Sequence, residues 1–212
     1  MQKPKIFVIA ERTDYKRDSV CNQTIESMRK LLVIIVLLAF LSGLVYILKR
    51  SSRNEETNNF PYQMILKSSA FKPNETIPSK FTCDGDNVSP LLEIREVPQG
   101  AKSLVLIMDD PDATRGVTWD HWILFNIDPK TQYISEDSLP FGAVLGKNSW
   151  GTSRYGGPCP PKGSKPHHYT FKFYALDTML DLKESATKTE LEFAMKGHVL
   201  DETTLIGLYA RK

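Results

Sequence analysis

The sequence of 212 residues carries almost no net charge. Its 27 lysines and arginines nearly balance its 25 aspartates and glutamates, and the formal net charge is +2. So small an excess supplies no basic surface for a nucleic acid, and no nucleic-acid partner is predicted. Internal repeats and low-complexity tracts are missing too. The apolar content of 41% and the charged content of 25% are typical of a protein that builds an ordinary core.

Two sequence signatures of catalysis are also lacking. The four histidines include no H-E-x-x-H or H-x-x-x-H pair, the spacing at which one helix holds a metal ion. No G-x-S-x-G stretch is present to form a nucleophile elbow. Metal-dependent and hydrolytic enzymes therefore have no motif in their favour, and the sequence predicts no cofactor.

One long apolar run interrupts the globular pattern. Leu31 to Leu48 is a stretch of 18 residues without a charge. As a helix it would rise about 27 Å, close to the thickness of the hydrocarbon layer of a membrane. The run predicts a transmembrane helix at 31–48, with a buried core helix or a cleavable signal peptide as alternatives. A signal peptide is disfavoured because apolar residues 44–47 stand where small residues would mark a cleavage site.

The segments on either side of this run set the predicted topology. Seven basic residues precede it and three follow it closely, which predicts a cytoplasmic N-terminus and an extracytoplasmic domain. Residues 1–30 are interpreted as an N-terminal tail, with Met28 as an alternative start of translation. The polar residues 49–61 are interpreted as a linker. The sequence thus predicts a single-pass membrane protein whose folded domain spans 62–212.

Short apolar or alternating segments dominate this domain. They predict strands, because the side chains of a strand point alternately to its two faces. Thr187 and Glu190 form a capping-box pair and Gly197 suits a helix end, so a helix is predicted over 188–196. Many short strands with one late helix favour a mainly β fold, a β-sandwich with a small C-terminal helical element. The strands are predicted at 64–70, 103–108, 122–127, 169–176 and 205–210.

The first stretch of candidate chemistry is DDPDATRG, followed by WDHWILFNI. The buried strand 103–108 ends in acidic residues, and Pro111 stops further strand pairing. Asp110 and Asp112 would share one side of an extended chain, and His121 follows shortly afterwards. An ordinary turn is the alternative, because aspartates bind backbone amides in turns.

The second stretch is YGGPCPPKGSKPHHYTF, residues 155–171. Gly156 and Gly157 would let the backbone approach a partner closely and would leave amide N–H groups free. His167 and Tyr169 then open a strand. The alternative is an ordinary loop with solvated histidines.

Both stretches place ionisable groups at the end of an apolar strand, and together they suit a small anion. Histidines donate hydrogen bonds, glycine amides complete the shell around the anion, and acids hold the histidines protonated. In that case anion affinity falls as the pH rises through about 6.5 to 7.5. The same side chains are also metal ligands, so a metal site stays open at this point.

These two stretches resemble motifs of the phosphatidylethanolamine-binding protein family, also called the Raf kinase inhibitor protein family. Further support comes from FTCDGDNVSPLLEI, GKNSWG and AMKGHVLDETTLIGLYAR. The likeness covers nearly all of 64–212 and is greatest to the compact bacterial and archaeal branch. It implies a Greek-key β-sandwich with a small anion pocket at one end. The resemblance assigns ligand-binding roles to Asp110, Asp112, Trp119, His121, Gly157, Pro161, His167 and Tyr169.

The sequence departs from the family at two points. Thr114 stands where many members have a second proline. The chain also ends soon after Tyr209, so the C-terminal helix that gates the pocket in animal members is not expected. These departures put phospholipid selectivity and Raf-like regulation in doubt.

Together with the predicted transmembrane helix, the resemblance implies a membrane-tethered, non-enzymatic protein that binds phosphate or a phospholipid head group and modulates a kinase or protease. A hydrolase or metal-dependent enzyme using the same histidines and aspartates is the alternative. A protein-binding inhibitor with a vestigial pocket is a third hypothesis. An exported domain would also permit a disulfide between Cys83 and Cys159, with two free thiols as the alternative.

Overall fold

The computed structural model describes part of the first unit of the chain and nearly all of the second. The chain separates into Met1–Phe60 and Pro61–Lys212, and the second unit holds the strands and the helix named below. The described residues are 26, 28–30, 32–44, 63–114 and 116–212.

The prediction of a transmembrane helix at 31–48 is wrong. Residues 28–30 and 32–44 are helical, and residues 31 and 45–48 of the predicted span lie outside the described residues. Across the described residues, no helix has both the length and the apolar character that crossing a bilayer demands. The single-pass membrane localisation is therefore wrong too, and the extracytoplasmic placement of the domain loses its basis. Residues 1–25 and 27 of the predicted tail 1–30 lie outside the described residues, as does the whole linker 49–61.

Antiparallel strands and one α-helix build the second unit, which confirms a mainly β fold. A short 3₁₀ helix, Ser79–Phe81, follows the first strand. The elements are β1 Ile65–Ser68, β2 Leu92–Arg95, β3 Ser103–Asp110, β4 Trp119–Ile127, β5 Tyr133–Ile134, β6 Val144–Leu145, β7 His167–Leu176, α1 Lys188–Met195 and β8 Val199–Tyr209.

The strands form two sheets. The smaller sheet has the order β1-β2-β5, and the larger has the order β6-β4-β3-β7-β8. Within the larger sheet, β3, β4 and β6 follow one another and a long connection returns β7 beside β3, which is the Greek-key order. Because Asp109 pairs with Thr170, the last residues of β3 and the first residues of β7 lie side by side at one end of the sheet.

Alternation divides the side chains of the larger sheet between two cores. Met108 belongs to the core shared with the smaller sheet. Ile107 belongs to a second core on the opposite face, which includes buried residues of α1. By the same alternation along β3, Asp110 is on the face of Met108 and Asp109 is on the face of Ile107. Two neighbouring carboxylates therefore lie on opposite faces of one sheet.

Helix α1 covers the second core and begins with the predicted capping box. The Thr187 hydroxyl accepts the N–H of Glu190, and the Glu190 carboxylate accepts the N–H of Thr187. Leu191 and Met195 are buried against the sheet. Gly197, with a φ of 82°, follows the helix end. The helix predicted over 188–196 is thus confirmed within one residue.

The predicted strands all lie on observed ones, but several of their ends differ. β7 begins at His167, β4 at Trp119 and β8 at Val199, each earlier than predicted, because polar residues continue these ladders beyond the apolar run. β2, β5 and β6 were not predicted. Each spans four residues or fewer, too short for a periodic pattern.

Buried charges hold the ends of β3 and β4 together on the helix-covered face. Asp109 Oδ2 accepts hydrogen bonds from Nζ of Lys172 at 2.7 Å and of Lys188 at 2.6 Å. Nζ of Lys188 also lies 3.1 Å from Oδ1 of Asp120, the residue paired with Asp109 across the two strands. Burial lowers the pKa of Lys188, but the two carboxylates outweigh burial and raise this pKa above its usual 10.5. Lys188 therefore stays charged.

A disulfide joins Cys83 to Cys159. Their Cα atoms lie 5.4 Å apart, and 76 positions separate them in sequence. The N–H of Cys83 also donates to the carbonyl of Pro158 at 3.1 Å. The link ties the loop that precedes β7 to the turn that follows the 3₁₀ helix.

Replacing Asp109 by Asn should lower the free energy of unfolding by about 3 kcal/mol, because it leaves Lys188 without its closest counter-charge in a largely buried position. Urea denaturation followed by tryptophan fluorescence measures this change. Asp181→Asn removes an exposed carboxylate and should cost less than about 0.5 kcal/mol. Equal losses in the two variants would contradict a structural role for the buried cluster.

Replacing both Cys83 and Cys159 by Ser should lower the free energy of unfolding by about 2 to 4 kcal/mol, since the unfolded chain loses the closure of a long loop. Wild-type protein unfolded in excess dithiothreitol should show the same loss. The disulfide would contribute nothing if reductant left the wild-type denaturation midpoint in place.

Candidate functional site

A cavity of about 400 Å³ lies where the core between the two sheets ends. Strands β3, β4 and β7 and the loops beside them supply its walls. Of the predicted ligand-binding residues, Asp112 and Gly157 do not line it, whereas the other six do. The lining residues are Asp110, Ala113, Thr114, Trp119, His121, Trp150, Cys159, Pro160, Pro161, His167 and Tyr169.

Asp110 and His167 form a buried pair across 57 positions of sequence. Oδ2 of Asp110 lies 2.8 Å from Nδ1 of His167. Because a carboxylate only accepts, Nδ1 carries the hydrogen and Nε2 is left for another partner. The other oxygen of Asp110 accepts the N–H of Asp112 at 2.9 Å. Asp110 therefore orients His167, with both of its own oxygens already engaged.

A β-bulge turns His121 toward the cavity. Trp122 pairs with Met108 and Asp120 pairs with Asp109, so His121 is an extra residue of β4 with no partner in β3. Strict alternation from Trp122 would point its side chain to the helix-covered face. The bulge re-aims it, and His121 lines the cavity while remaining only 2% exposed.

The hydrogen bond of His121 fixes its tautomer. Nδ1 lies 2.7 Å from the carbonyl oxygen of Gly156, so Nδ1 carries the hydrogen. Nε2 has no hydrogen-bond partner among the described residues. Burial lowers the pKa of His121 below its usual 6.5, outweighing the Gly156 carbonyl and Asp110, which raise it. The pKa of His121 is thus shifted away from the protonated state that the sequence analysis expected, and in the neutral ring Nε2 is an acceptor.

Two buried polar groups of the cavity walls lack a hydrogen-bond partner in the described part of the chain. They are the hydroxyl of Tyr169 and the indole N–H of Trp119. Burial and the charge of Asp110 raise the pKa of Tyr169, so its hydroxyl stays protonated. An unpaired buried polar group costs about 1 to 3 kcal/mol. A polar atom that reached either group would stabilise the site.

The glycine pair shapes the wall without offering free amides. The N–H of Gly156 donates to the carbonyl of His121 at 3.0 Å, and the N–H of Gly157 donates to Oδ1 of Asn87 at 2.8 Å. The predicted anion-binding amides are thus already engaged, and that prediction is wrong. Glycine is needed for close approach: a Cβ on Gly156 would lie 2.5 Å from the Trp150 ring, and one on Gly157 would lie 2.6 Å from Asn87.

Asp112 lies at the surface, outside the cavity. Its Oδ2 accepts the backbone N–H of His168 at 2.8 Å and lies 2.6 Å from Nδ1 of the same residue. The hydrogen bond from the His168 side chain lowers the pKa of Asp112. Asp112 fastens the turn after β3 to the start of β7, which is the turn role left open by the sequence, and its predicted ligand-binding role has no support in the geometry.

Trp150 is a cavity residue that the sequence motifs did not predict. Its ring meets the ring of His121 edge-on at a centroid distance of 5.0 Å and that of Trp119 at 5.4 Å. The loop around it is held by Asn148, whose Oδ1 accepts the N–H of Trp150 at 3.1 Å. The stretch GKNSWG contained the signal, but its separation from His121 in sequence hid the contact.

The charges of the cavity are unusual for an anion site. Asp110 supplies the one carboxylate among the described lining residues, and none of those residues is a lysine or arginine. Among the described lining residues, the groups that could donate a hydrogen bond to an anion are therefore imidazole rings and neutral polar hydrogens. Across the described residues, no group of three or more His, Cys, Asp or Glu side chains is placed to hold a metal ion.

Comparison with known proteins identifies the family. The model of the family described as phosphatidylethanolamine-binding protein matches residues 67–210. A UPF0098 protein of Methanothermobacter thermautotrophicus is 52% identical over 153 residues, which cover 70% of this chain and 99% of the relative. A UPF0098 protein of Pyrococcus horikoshii is 48% identical over 157 residues, 71% of this chain and 79% of the relative.

Solved structures show the same fold. A phosphatidylethanolamine-binding protein homologue from Chlamydia trachomatis is 40% identical, with a TM-score of 0.68, and the match covers 71% of this chain and 99% of that one. E. coli YbcL, described as a new member of the mammalian family, is 32% identical with a TM-score of 0.67 and the same coverage. The chain therefore belongs to the phosphatidylethanolamine-binding protein family, in its bacterial and archaeal branch.

Proposed function

We propose that this chain is a non-enzymatic binding protein that holds a small anion, phosphate or a phosphate-bearing head group, in the cavity beside His121 and His167. One observation carries the proposal: two imidazole rings, each with Nδ1 engaged inside the protein, line one small cavity. Each ring thereby keeps Nε2 for a ligand. Membership of a family described by its binding of a phospholipid supports a binding role.

The cavity walls suit a compact polar group. The rings of Trp150 and Tyr169 meet the His121 ring edge-on, and Trp119 packs against Trp150. A polar contact beside such apolar surface is stronger than one in water. The unpaired hydroxyl of Tyr169 and the unpaired indole N–H of Trp119 are neutral donors in these walls. The cavity volume of about 400 Å³ lies at the small end of the range for ligand sites.

A hydrolytic enzyme is less well supported by the same residues. The Asp110–His167 pair has the geometry of an acid that orients a base. Nε2 of His167, however, accepts no hydrogen bond from a serine, threonine or cysteine among the described residues, and the nearby Cys159 is held in the disulfide. The pair lacks an activated nucleophile. A kinase or protease as partner remains a prediction of the family resemblance.

Replacing His121 by Ala should weaken phosphate binding by roughly 10- to 100-fold, because one of two polar contacts from the rings is lost. His198→Ala is the matched control. That ring pairs with Asp177 at 2.8 Å on an exposed surface and does not line the cavity. Isothermal calorimetry with inorganic phosphate measures both variants. Equal affinities in the wild type and the His121 variant would place the anion elsewhere.

Purified protein should not turn over p-nitrophenyl phosphate or a generic peptide substrate above the rate of the His167→Ala variant. The physical reason is the missing nucleophile beside His167. A spectrophotometric assay with and without added divalent metal ions measures this. Turnover that disappeared in the His167 variant would replace the binding proposal with the hydrolytic one.

A further inference from the structure

A short part of the cavity wall depends on the disulfide for its position. Residues 159–161, the wall segment, all line the cavity. Among the described residues, Cys159 and Pro160 form no hydrogen bond with another backbone group, and proline has no N–H to donate. The carbonyl of Pro161 accepts the N–H of Ser164 in a local turn. The bond from Cys159 to Cys83 is therefore the cross-link that fastens the wall segment to the rest of the fold.

The chain is attached to the fold on both sides of the wall segment by bonds that do not need the disulfide. The carbonyl of Pro158 accepts the N–H of Cys83 at 3.1 Å, and the N–H of Gly163 donates to the carbonyl of Arg211 at 3.2 Å. Cys83 itself follows Thr82, which is fully buried. Loss of the disulfide would therefore free the wall segment between two fixed points without releasing the whole loop.

The disulfide is accessible to a reductant. Cys159 is exposed and Cys83 is half-buried, and exposed disulfides are typically the labile ones. The thiolate of a dithiol would form a mixed disulfide with Sγ of Cys159, and Cys83 would leave as a thiolate. The second thiol of the reductant would then displace Cys159. The protein gains two electrons and two protons in this exchange, and the dithiol becomes a disulfide.

We propose that the Cys83–Cys159 disulfide is a redox modification site that controls binding in the cavity. The oxidised form holds the wall segment in place and binds the anion. Reduction by a dithiol frees the wall segment, and an anion must then order this segment as it binds, which weakens its affinity. Linkage is reciprocal, so a bound anion protects the disulfide from reduction by the same factor. The inference rests on the proposed function, because it names a form of regulation of that site.

Calorimetry with inorganic phosphate on the full chain tests the effect of reduction on affinity. A Cys21→Ser background ensures that the thiols released are those of the disulfide. Phosphate affinity should fall by roughly tenfold or more in dithiothreitol. Replacing both Cys83 and Cys159 by Ser should give the same low affinity, without further change in dithiothreitol. Leu191→Ala, which removes a buried side chain from the core on the opposite face of the sheet, should leave the affinity within about twofold.

A redox titration measures the reciprocal effect. The protein is equilibrated in mixtures of reduced and oxidised dithiothreitol, with and without phosphate at a concentration that saturates both forms. Phosphate should make the disulfide harder to reduce by the factor that separates the two affinities, and a tenfold factor corresponds to about 30 mV. Sodium chloride at the same ionic strength is the control and should leave the equilibrium unchanged. A merely structural disulfide would show no such agreement between the two measurements.

Limited proteolysis reports the position of the wall segment without any ligand. Trypsin should cut after the exposed Lys162 at least tenfold faster in the double serine variant than in the oxidised wild type, because the freed segment reaches the extended form that a protease needs. The comparison needs no reductant, which would damage trypsin. Cleavage after Lys183, in an exposed loop before α1, should keep its rate and thereby control for general unfolding.

The outcomes separate this inference from the proposed function. Equal phosphate affinity of the oxidised and reduced forms would overturn the inference and leave the anion site standing. An equal cleavage rate after Lys162, or a parallel increase after Lys183, would also overturn it. If the oxidised protein bound no phosphate, the proposed function itself would fall, even if the cleavage rates differed.

Discussion

The hydrogen bond between Asp110 and His167 is the constraint on which the site depends. It joins the last residue of β3 to the first residue of β7 at a distance of 2.8 Å. The bond determines which ring nitrogen carries hydrogen and which is left for a ligand. The bond also gives the buried carboxylate a hydrogen-bond partner. Burying this carboxylate without a partner would be costly, because no lysine or arginine among the described lining residues compensates its charge. The Greek-key return of β7 beside β3 therefore contributes directly to the chemistry of the cavity.

Side-chain direction at His121 is the part of the site that periodicity does not reveal. Alternation along β4 would place this ring on the helix-covered face, and one extra residue in the ladder brings it to the other. The glycine pair shows a similar limit. A pattern of two glycines indicates close backbone approach, which the packing of Trp150 on Gly156 bears out, but it does not reveal that both amides are used inside the protein. Such details depend on contacts between distant segments.

Much of the fold could nevertheless be predicted from the sequence. Apolar runs marked the central strands, the Thr187–Glu190 pair marked the start of the helix, and the two motif stretches placed Asp110, His121 and His167 together. Short strands such as β5 and β6 have too few residues to show a period. The apolar run at 31–48 led to a wrong prediction, because the described residues contain no helix that is both long and apolar enough to cross a membrane.

The neighbouring aspartates at the end of β3 show how the sheet separates a stabilising charge from a ligand-facing one. Asp109 is neutralised by two lysines on the helix-covered face, and flexible ammonium groups suit it because nothing else must bind there. A lysine placed on Asp110 would occupy the cavity, whereas an imidazole satisfies the carboxylate with one nitrogen and presents the other. Lys172 and His167 both belong to β7, but Lys172 binds Asp109 on the helix-covered face and His167 binds Asp110 on the cavity face. Lys188 also contacts Asp120, the residue before His121. The ion cluster on the helix-covered face therefore stabilises the same strand ends that position the two imidazole rings on the cavity face.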